Sequence, residues 1–266
     1  ATIRGIVFDG ASEVADAIRI DDTVTGAPVV ISGCTVRNYT NRFVYVSLSG
    51  KIESLTIDDC IFIGADNSTT NKAIYASSAH TQVETLSVTN STFLNFNTGS
   101  NYFFRINCGE ELVLMPVVLI DHCTFYNCYD RRGVYLYNAG RSTIKNCISA
   151  FSERRDDTKS FTAYGDESIV KNVISYNVDL YGSAPKENII SKNPLFVDAE
   201  NGNFQLYKDS PAVGAGDDGS DLGDPRWGVS TENAPVGELP YECFKKPYSM
   251  SPTTHSVRIL WQTLDS

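Results

Sequence analysis

A phrase of ten or eleven residues recurs along the first two thirds of the chain and constrains its fold more than any other feature. Six copies align without gaps, and each has apolar residues, a turn-forming residue and then an anchor position that is usually cysteine. The copies are VVISGCTVRN (29–38), SLTIDDCIFIG (54–64), TLSVTNSTFLN (85–95), VVLIDHCTFYN (117–127), STIKNCISAF (142–151) and SIVKNVISYN (168–177). A shorter copy anchored at Ile6 brings the number of repeats to about seven.

Repeats of this length predict a parallel β-solenoid. Successive anchors are 24 to 32 residues apart, and strand-like runs such as RFVYVS (42–47) and KAIYAS (72–77) follow several of them. Each repeat has room for two or three short strands, and no helical period of 3.6 residues is present. Leucine-rich repeats have a similar period, but their signature is absent. We therefore expect an all-β fold in which about seven coils stack at a spacing of about 4.8 Å.

The residues around each anchor predict where the coils bend. The position before the anchor mostly holds types that tolerate a left-handed backbone: Gly5, Gly33, Asp59, Asn90, His122, Asn146 and Asn172. The fourth position after the anchor is mostly asparagine: Asn38, Asn95, Asn127 and Asn177, with Gly64 and Phe151 as exceptions. Asparagines stacked at a repeated bend can hydrogen-bond one another and the backbone. We expect a sharp bend at each of these positions.

The seven cysteines fit neither paired CxxC spacing nor a small disulfide scaffold. Cys34, Cys60, Cys123 and Cys147 occupy anchor positions, where a stacked interior column would bury them as small hydrophobic side chains. A disulfide or a metal ligand is the alternative for a cysteine in this chain.

The repeats and the segment after them resemble a known family. NPLFVDAENGNFQLYKDSPAVGAG (193–216) and GDPRW (223–227) follow the repeat phrases in the order typical of right-handed parallel β-helix domains of uncharacterised function. Such domains occur in secreted or surface-anchored proteins of glycan-degrading Gram-negative gut bacteria and are related in shape to pectate lyases and chondroitinase B-like polysaccharide lyases. The resemblance covers residues 1–228. It implies a right-handed, pectin-lyase-like β-helix on the outer cell surface or secreted, with a polysaccharide as its partner.

The resemblance also divides the chain. Residues 1–228 are expected to form the β-helix, with 193–228 as its closing segment, and residues 229–246 read as a linker. Residues 247–266 resemble the first strands of the fibronectin-type sandwich that precedes purple acid phosphatase catalytic domains. Twenty residues cannot complete a sandwich of about 100, and residue 1 falls inside a coil. We therefore expect the chain to be part of a longer protein.

Charge and hydropathy exclude two classes of partner. The formal net charge is −10 and no run of Lys and Arg is present, so nucleic acid is not an expected partner. No apolar run reaches the roughly 20 residues that a transmembrane helix requires. The protein is therefore not expected to span a membrane.

One aligned column predicts a binding surface. Tyr45, Tyr75, Arg105 and Tyr135 follow one another at thirty-residue intervals, between columns of Val, Ile, Phe and Leu. Burying an unpaired Arg105 would cost several kcal/mol, so we expect this column to face solvent. On the same face strand alternation predicts Phe43, Ala73, Phe103 and Gly133 on one side and Ser47, Ser77, Asn107 and Tyr137 on the other. We expect this stripe, with Tyr137, to bind a glycan by ring stacking and charge pairing. The alternative is that the rings only brace neighbouring coils.

A polysaccharide lyase is a second hypothesis. The polar insertion SERRDDTKSF (152–161) lies one coil after Arg131 and Arg132, and Arg105, Arg132, Arg155 and Lys159 have the side-chain types needed for β-elimination of a uronate. The acidic calcium ligands of the chondroitinase B-like lyases have no matching string here. Asp217, Asp218 and Asp221 could offer oxygen ligands to calcium, but their spacing fits a terminal loop better. No histidine-based site is predicted.

Three functions follow in order of preference. The first is a non-catalytic carbohydrate-binding module of a bacterial polysaccharide-utilisation system, which needs no cofactor. The second is a lyase that acts on a uronate-containing glycan, and calcium is expected only in that case. The third is a structural spacer that presents a neighbouring domain.

Overall fold

The chain forms an all-β, parallel β-solenoid. The structure is a computed structural model. It describes residues 1–21, 26–47, 51–64, 71–78, 82–96, 102–108, 116–129, 131–137, 139, 141–235, 248–253 and 256–260. Three rows of strands run along the solenoid, and strands within each row pair in parallel. The predicted solenoid fold is confirmed.

The first row begins each coil. Its strands are β1 (Thr2–Arg4), β4 (Val29–Ser32), β7 (Lys51–Asp58), β10 (Gln82–Thr89), β13 (Val117–Asp121), β16 (Arg141–Ala150), β18 (Ile169–Tyr176) and β20 (Lys186–Ile190). The second row follows the bend: β2 (Val7–Asp9), β5 (Thr35–Arg37), β8 (Ile61–Ile63), β11 (Thr92–Leu94) and β14 (Thr124–Tyr126). The long strand β16 pairs with both β13 and β14, so the two rows join in one thirteen-stranded sheet.

The third row forms a separate seven-stranded sheet. Its strands are β3 (Asp16–Ile20), β6 (Arg42–Val46), β9 (Lys72–Ser78), β12 (Phe104–Cys108), β15 (Val134–Tyr137), β17 (Lys159–Ala163) and β19 (Asp179–Tyr181). Tyr45, Tyr75, Arg105 and Tyr135 are direct register partners across it, as the thirty-residue spacing predicts.

The solenoid has about five turns rather than the predicted seven. Five turns, from β1 to β15, contain three separate strands each. The last two copies of the repeat phrase instead lie within β16 and β18, which run through the bend as single long strands. Counting anchors therefore overestimates the number of regular turns.

The bends lie where the sequence predicts them. All seven residues before the anchors have positive φ, from 48° at Asn90 to 63° at Gly5. The four predicted asparagines after the anchors also have positive φ, with values of 50° to 60°. Side chains at the bend before the anchor link successive coils. Asn90 donates to Asp58 at 2.9 Å, and Asn188 donates to Asn172 at 2.8 Å.

The interior consists of stacked columns of identical or similar side chains. The rings of Phe62, Phe93 and Phe125 stack in parallel with centroids 4.9 Å apart, which is the coil spacing. The four anchor cysteines are free and at most 1% exposed, so their predicted interior column is confirmed. The Sγ of Cys60 donates to the carbonyl oxygen of Asp58 at 3.2 Å. Full burial of one such phenylalanine stabilises the fold by about 1.5–3 kcal/mol.

The closing segment packs against the outer face of the second row. It includes β21 (Phe196–Asp198), a 3₁₀ turn at Ala199–Asn201, the antiparallel partner β22 (Asn203–Leu206) and a 3₁₀ turn at Pro225–Trp227. A second core forms there from Leu94, Tyr126, Ile148, Ala150, Ile174, Phe204, Leu206, Ala212 and Leu222. Strands β11 and β14 are consequently buried on both faces.

The motif GDPRW fixes the end of this segment. The carboxylate of Asp224 accepts from Thr92 Oγ1 (2.6 Å) and from Arg226 Nε (2.7 Å), and Arg226 also reaches Asp59 (2.8 Å). Trp227 Nε1 donates to Thr92 Oγ1 at 2.9 Å. These contacts connect the closing segment to the third and fourth turns, and the N–H of Asp224 donates to Thr124 Oγ1 in the fifth (2.9 Å).

The remaining described residues come after the solenoid and its closing segment in the chain. The start of the predicted linker runs beside β22, where Val229 bridges to Leu206. Strands β23 (Tyr248–Thr253) and β24 (Ser256–Leu260) form an antiparallel pair within the predicted sandwich-like segment. Residues 236–247, 254–255 and 261–266 lie outside the described residues. The 3₁₀ turns of the described residues are too short to cross a bilayer.

Candidate functional site

The outer face of the seven-stranded sheet carries a continuous row of tyrosines, which we call the tyrosine ladder. Adjacent ring centroids along it are 5.7 to 6.5 Å apart. Its members are Tyr45, Tyr75, Tyr102, Tyr135, Tyr137, Tyr164 and Tyr181. The sequence prediction found Tyr45, Tyr75, Tyr135 and Tyr137. It missed Tyr102, which precedes β12 outside the thirty-residue register but lies between the rings of Tyr75 and Tyr135.

Positive side chains cover the rings of the tyrosine ladder. Their charged groups lie 3.6 to 5.7 Å from a ring centroid, within the range of a cation–π interaction. These ladder cations are Arg19, Arg42, Lys72, Arg105 and Arg132. Arg42 also forms a bidentate pair with Asp16 at 2.6 and 2.8 Å. The face is therefore locally basic on a chain whose net charge is −10.

Arg105 occupies the middle of the ladder, in the fourth turn. Its guanidinium stacks on Tyr102 at 4.3 Å and donates to the Tyr102 hydroxyl. Its Nε is buried and has no acceptor among the described residues. An unsatisfied buried donor costs about 1–3 kcal/mol.

Exposure along the ladder differs from the prediction at Tyr135. Tyr45, Tyr75 and Arg105 are half-buried, but Tyr135 is only 6% exposed because Tyr102, Tyr137, Tyr164 and Arg132 surround its ring. Burial raises the pKa of Tyr135. The ends of the row are open, since Arg19 beside Tyr45 is exposed at one end and Tyr181 is exposed at the other.

The predicted neighbours Phe43, Ala73, Phe103 and Gly133 do not lie on this face. All four are buried, and Phe43 and Phe103 belong to the core. Consecutive residues such as Phe43 and Val44 both point inward because the coil turns at this corner, which interrupts the alternation of the strand. Ser47 and Tyr137 are half-buried as members of the outer face, whereas the side chains of Ser77 and Asn107 lie outside the described part of the structure.

The four lyase candidates are held in different environments. Arg105 and Arg132 belong to the ladder cations. Arg155 stacks instead on Tyr129 at 4.4 Å, and Lys159 pairs with Asp179 at 3.4 Å. Burial opposes ionisation of Asp179, but hydrogen bonds from Arg154 and Lys159 outweigh it and lower its pKa. Residues 152–157 project as an exposed loop, as expected, with part of their charge paired, but Lys159 lies half-buried in β17 rather than in the loop.

The calcium candidates have separate partners. Asp217 accepts from Asn146 (2.9 Å) and contacts Lys171 (3.0 Å) and Lys145 (3.1 Å), and these contacts lower its pKa strongly. Asp218 accepts from the backbone N–H of Ser220, and Asp221 from that of Gly214. Within the described ranges, no three acidic, histidine or cysteine side chains form a group suited to a metal ion.

A cavity of about 380 Å³ lies between the closing segment and the second row of strands. Its apolar wall includes Ile148, Phe204, Leu206 and Trp227, and its polar wall includes Asn90, His122, Thr124 and Ser220. His122 Nδ1 lies 2.8 Å from Asp121 Oδ1, and its Nε2 lies 2.7 Å from Ser220 Oγ. The sequence prediction missed this contact because His122 and Ser220 are far apart in the chain.

The surroundings of His122 favour its charged form. The hydrogen bond to Asp121 is the largest effect and raises the pKa of His122, and the charge of Asp218 raises it further. Partial burial and the nearby Lys145 act in the opposite direction.

In comparisons with known proteins, two protein-family models match separate parts of the chain. A protein-family model described as Domain of unknown function (DUF4957) matches residues 2–98, and another, Domain of unknown function (DUF5123), matches residues 118–227. Each match covers less than half of the chain, and neither description names an activity. The second match ends at Trp227, where the closing segment is attached to the coils. A search of curated proteins finds no relative.

Proposed function

We propose that this protein is a carbohydrate-binding β-helix module that holds an acidic glycan on the tyrosine ladder, without chemistry of its own at that face. The observation that carries the proposal is the pairing of aromatic rings with cations along successive coils. A polymer that lies along the solenoid axis would meet a similar surface on each coil. We place the module on the surface of a Gram-negative bacterium or outside it, as part of a longer chain in a polysaccharide-utilisation system, and we take its solenoid to be right-handed and pectin-lyase-like.

Half-buried tyrosine rings suit the binding of sugars. A tyrosine offers an apolar ring face for the C–H groups of a pyranose and a hydroxyl for its polar edge. The ladder spacing of about 6 Å allows several sugar units to contact rings at once. Because side chains packed on one another lose little further rotamer freedom on binding, the entropic cost of association is reduced.

The ladder cations favour an acidic glycan over a neutral one. Arginine recognises carboxylate and sulfate groups through paired N–H donors. The surrounding acidic surface would repel a polyanion, so a bound acidic glycan is expected to follow the basic face rather than spread over the protein. Salt should weaken such binding because exposed charge pairs are screened within about 10 Å at 0.1 M ionic strength.

Binding to immobilised polygalacturonate, alginate and chondroitin sulfate tests the proposal. Arg105→Met keeps most of the side-chain volume and removes the charge, so we expect affinity for the retained glycan to fall about 10- to 100-fold. The double variant with Tyr75→Ala should bind more weakly still. Arg141→Met is the matched control, since Arg141 is exposed at the start of β16 and outside the ladder. Equal affinity of the wild type and the double variant would refute the site.

The same incubations separate binding from cleavage and from a spacer role. Absorbance of unsaturated uronates, followed with calcium present, should stay flat on every polymer. A rise that disappears in Arg105→Met would instead assign a lyase. Retention on none of the polymers would leave only the spacer role and overturn the binding proposal.

A further inference from the structure

The contacts of His122 have the arrangement of a hydrolytic triad. One ring nitrogen faces a carboxylate, Asp121 Oδ1 at 2.8 Å, and the other faces a hydroxyl, Ser220 Oγ at 2.7 Å. A carboxylate that fixes the imidazole, and an imidazole within hydrogen-bond reach of a serine, are the geometric signature of nucleophilic catalysis on unrelated folds. The order in the chain does not matter to this geometry.

The bend does not itself require a histidine. Equivalent bends hold Gly33, Asp59, Asn90, Asn146 and Asn172, all with positive φ like His122 at 50°. Glycine, asparagine and aspartate are the types that adopt this conformation most readily. The histidine therefore accepts a less favourable backbone than its neighbours in the stack, and its ring gains contacts to Asp121 and Ser220.

The closing segment holds Ser220 in a defined position. The carbonyl of Ser220 accepts from the N–H of Gly216 (2.8 Å), and its own N–H donates to Asp218 (3.0 Å). A Cβ at position 216 would lie 2.6 Å from Ser220 Oγ, so only glycine leaves room for the hydroxyl. Asn146, which occupies the equivalent bend position in the next coil, meanwhile donates to Asp121 (3.0 Å) and orients the carboxylate. Both partners of His122 are thus supported by neighbouring groups.

The cavity beside these residues can hold an acyl group. His122 and Ser220 line it together with the apolar side chains Ile148, Phe204 and Trp227. The volume of about 380 Å³ lies at the lower end of the range for small-molecule sites. His122 is 16% exposed at its side chain and Ser220 is half-buried, so a substrate can approach both from solvent.

We infer that Ser220 and His122 are catalytic residues of an esterase site, with Asp121 as the positioning residue, and that its substrate is a carboxylic ester with a compact apolar acyl group. This site lies under the closing segment, separate from the tyrosine ladder, and the inference does not depend on glycan binding. It goes beyond the proposed function because it adds a reaction.

The reaction balances with water as the only co-reactant. With the His122 imidazole neutral and its Nδ1 proton held by Asp121, Ser220 Oγ forms a bond to the ester carbonyl carbon while its proton passes to His122 Nε2. The carbon–oxygen bond to the alcohol then breaks, and His122 returns the proton to the leaving oxygen. Water, deprotonated by His122, attacks the acyl-serine, releases the carboxylic acid and restores the Ser220 hydroxyl. Asp121 stabilises the imidazolium in both steps.

A fluorophosphonate probe on the whole chain tests the site. We expect the probe to label Ser220, located by peptide mass spectrometry, and p-nitrophenyl butyrate to be hydrolysed. Ser220→Ala should abolish both. His122→Asn should slow both by about 100-fold or more, and it should fold because asparagine occupies the neighbouring bends. Ser191→Ala, at an exposed serine outside the closing-segment cavity, is the control and should match the wild type.

Two results would overturn the inference. The first is a wild-type protein that the probe does not label, or labels elsewhere than at Ser220. The second is a His122→Asn variant that reacts as fast as the wild type while retaining its melting temperature, which would leave His122 with a structural role only.

Discussion

Replacing Arg226 by methionine should weaken the attachment of the closing segment to the coils. The Asp224 side chain is fully buried, and Arg226 Nε is its charged partner at 2.7 Å. In Arg226→Met the carboxylate keeps Thr92 Oγ1 and the backbone N–H of residue 226 as donors but loses the compensating charge. Breaking a buried pair from one side costs about 3–5 kcal/mol. We take about 3 kcal/mol as the expected loss because two hydrogen bonds to the carboxylate remain.

The pH dependence of this loss has a definite sign. Burial raises the pKa of Asp224 above 3.8 even with Arg226 present, and removing the arginine raises it further. A buried carboxyl with a raised pKa binds protons more tightly in the folded state, so stability falls as pH rises from about 4 through the folded-state pKa. The difference between wild type and Arg226→Met should therefore be largest near pH 7 and shrink toward pH 4, where the carboxyl can be neutral.

Urea denaturation followed by two signals measures the effect. Trp227 fluorescence, measured with Trp261→Phe in every protein compared, reports on the closing segment because its ring centroid lies 5.3 Å from that of Phe204, and far-ultraviolet circular dichroism reports on the coils. Arg37→Met is the matched control because its partner Asp9 is exposed, and it should change stability little. A loss below about 1 kcal/mol, or an equal loss at pH 4 and pH 7, would refute the reasoning about the buried pair.

Two further predictions concern the interior. Phe93→Ala removes the middle ring of the Phe62–Phe93–Phe125 stack and should lower the free energy of unfolding by about 3–5 kcal/mol, measured by urea denaturation. Phe93→Leu should lower it clearly less. Similar losses for the two variants would argue against a packed ring column. Burial raises the pKa of the Cys60 thiol to about 12. This cysteine should therefore not react with a thiol reagent at pH 8 until the protein unfolds. Rapid labelling of Cys60 in the native state would contradict its interior position.

Much of the fold could be predicted from the sequence because a solenoid repeats one local pattern. The bend positions and the cysteine column follow from residue types at fixed spacing, and the structure agrees with each of them. The predicted number of turns was wrong because β16 and β18 each contain the repeat phrase but form one continuous strand, where the earlier turns have two separate strands. The residue type at an anchor does not show whether one strand ends and a second strand begins there.

The sites were harder to predict because their contacts depend on geometry between coils. The columns of the tyrosine ladder were visible as a thirty-residue spacing, but Tyr102 reaches the ladder from the position before its strand. Strand alternation placed Phe43 outside, whereas the corner of the coil turns it inward. The pairing of His122 with Ser220 arises only when the closing segment folds back, and no local pattern encodes it.

The path of the closing segment also determines how the solenoid comes apart. In a repeat protein whose units touch only their neighbours, unfolding can spread from one unit to the next. Here one segment reaches Asp59, Thr92 and Thr124 in the third to fifth turns, and it also reaches Ile148 in β16 and Ile174 in β18. The closing segment therefore links these turns and strands along one side of the solenoid. They should unfold together as one cooperative unit. Among the described residues, no hydrogen bond joins the first two turns to this segment, so their amide protons are expected to exchange with solvent before those of the rest.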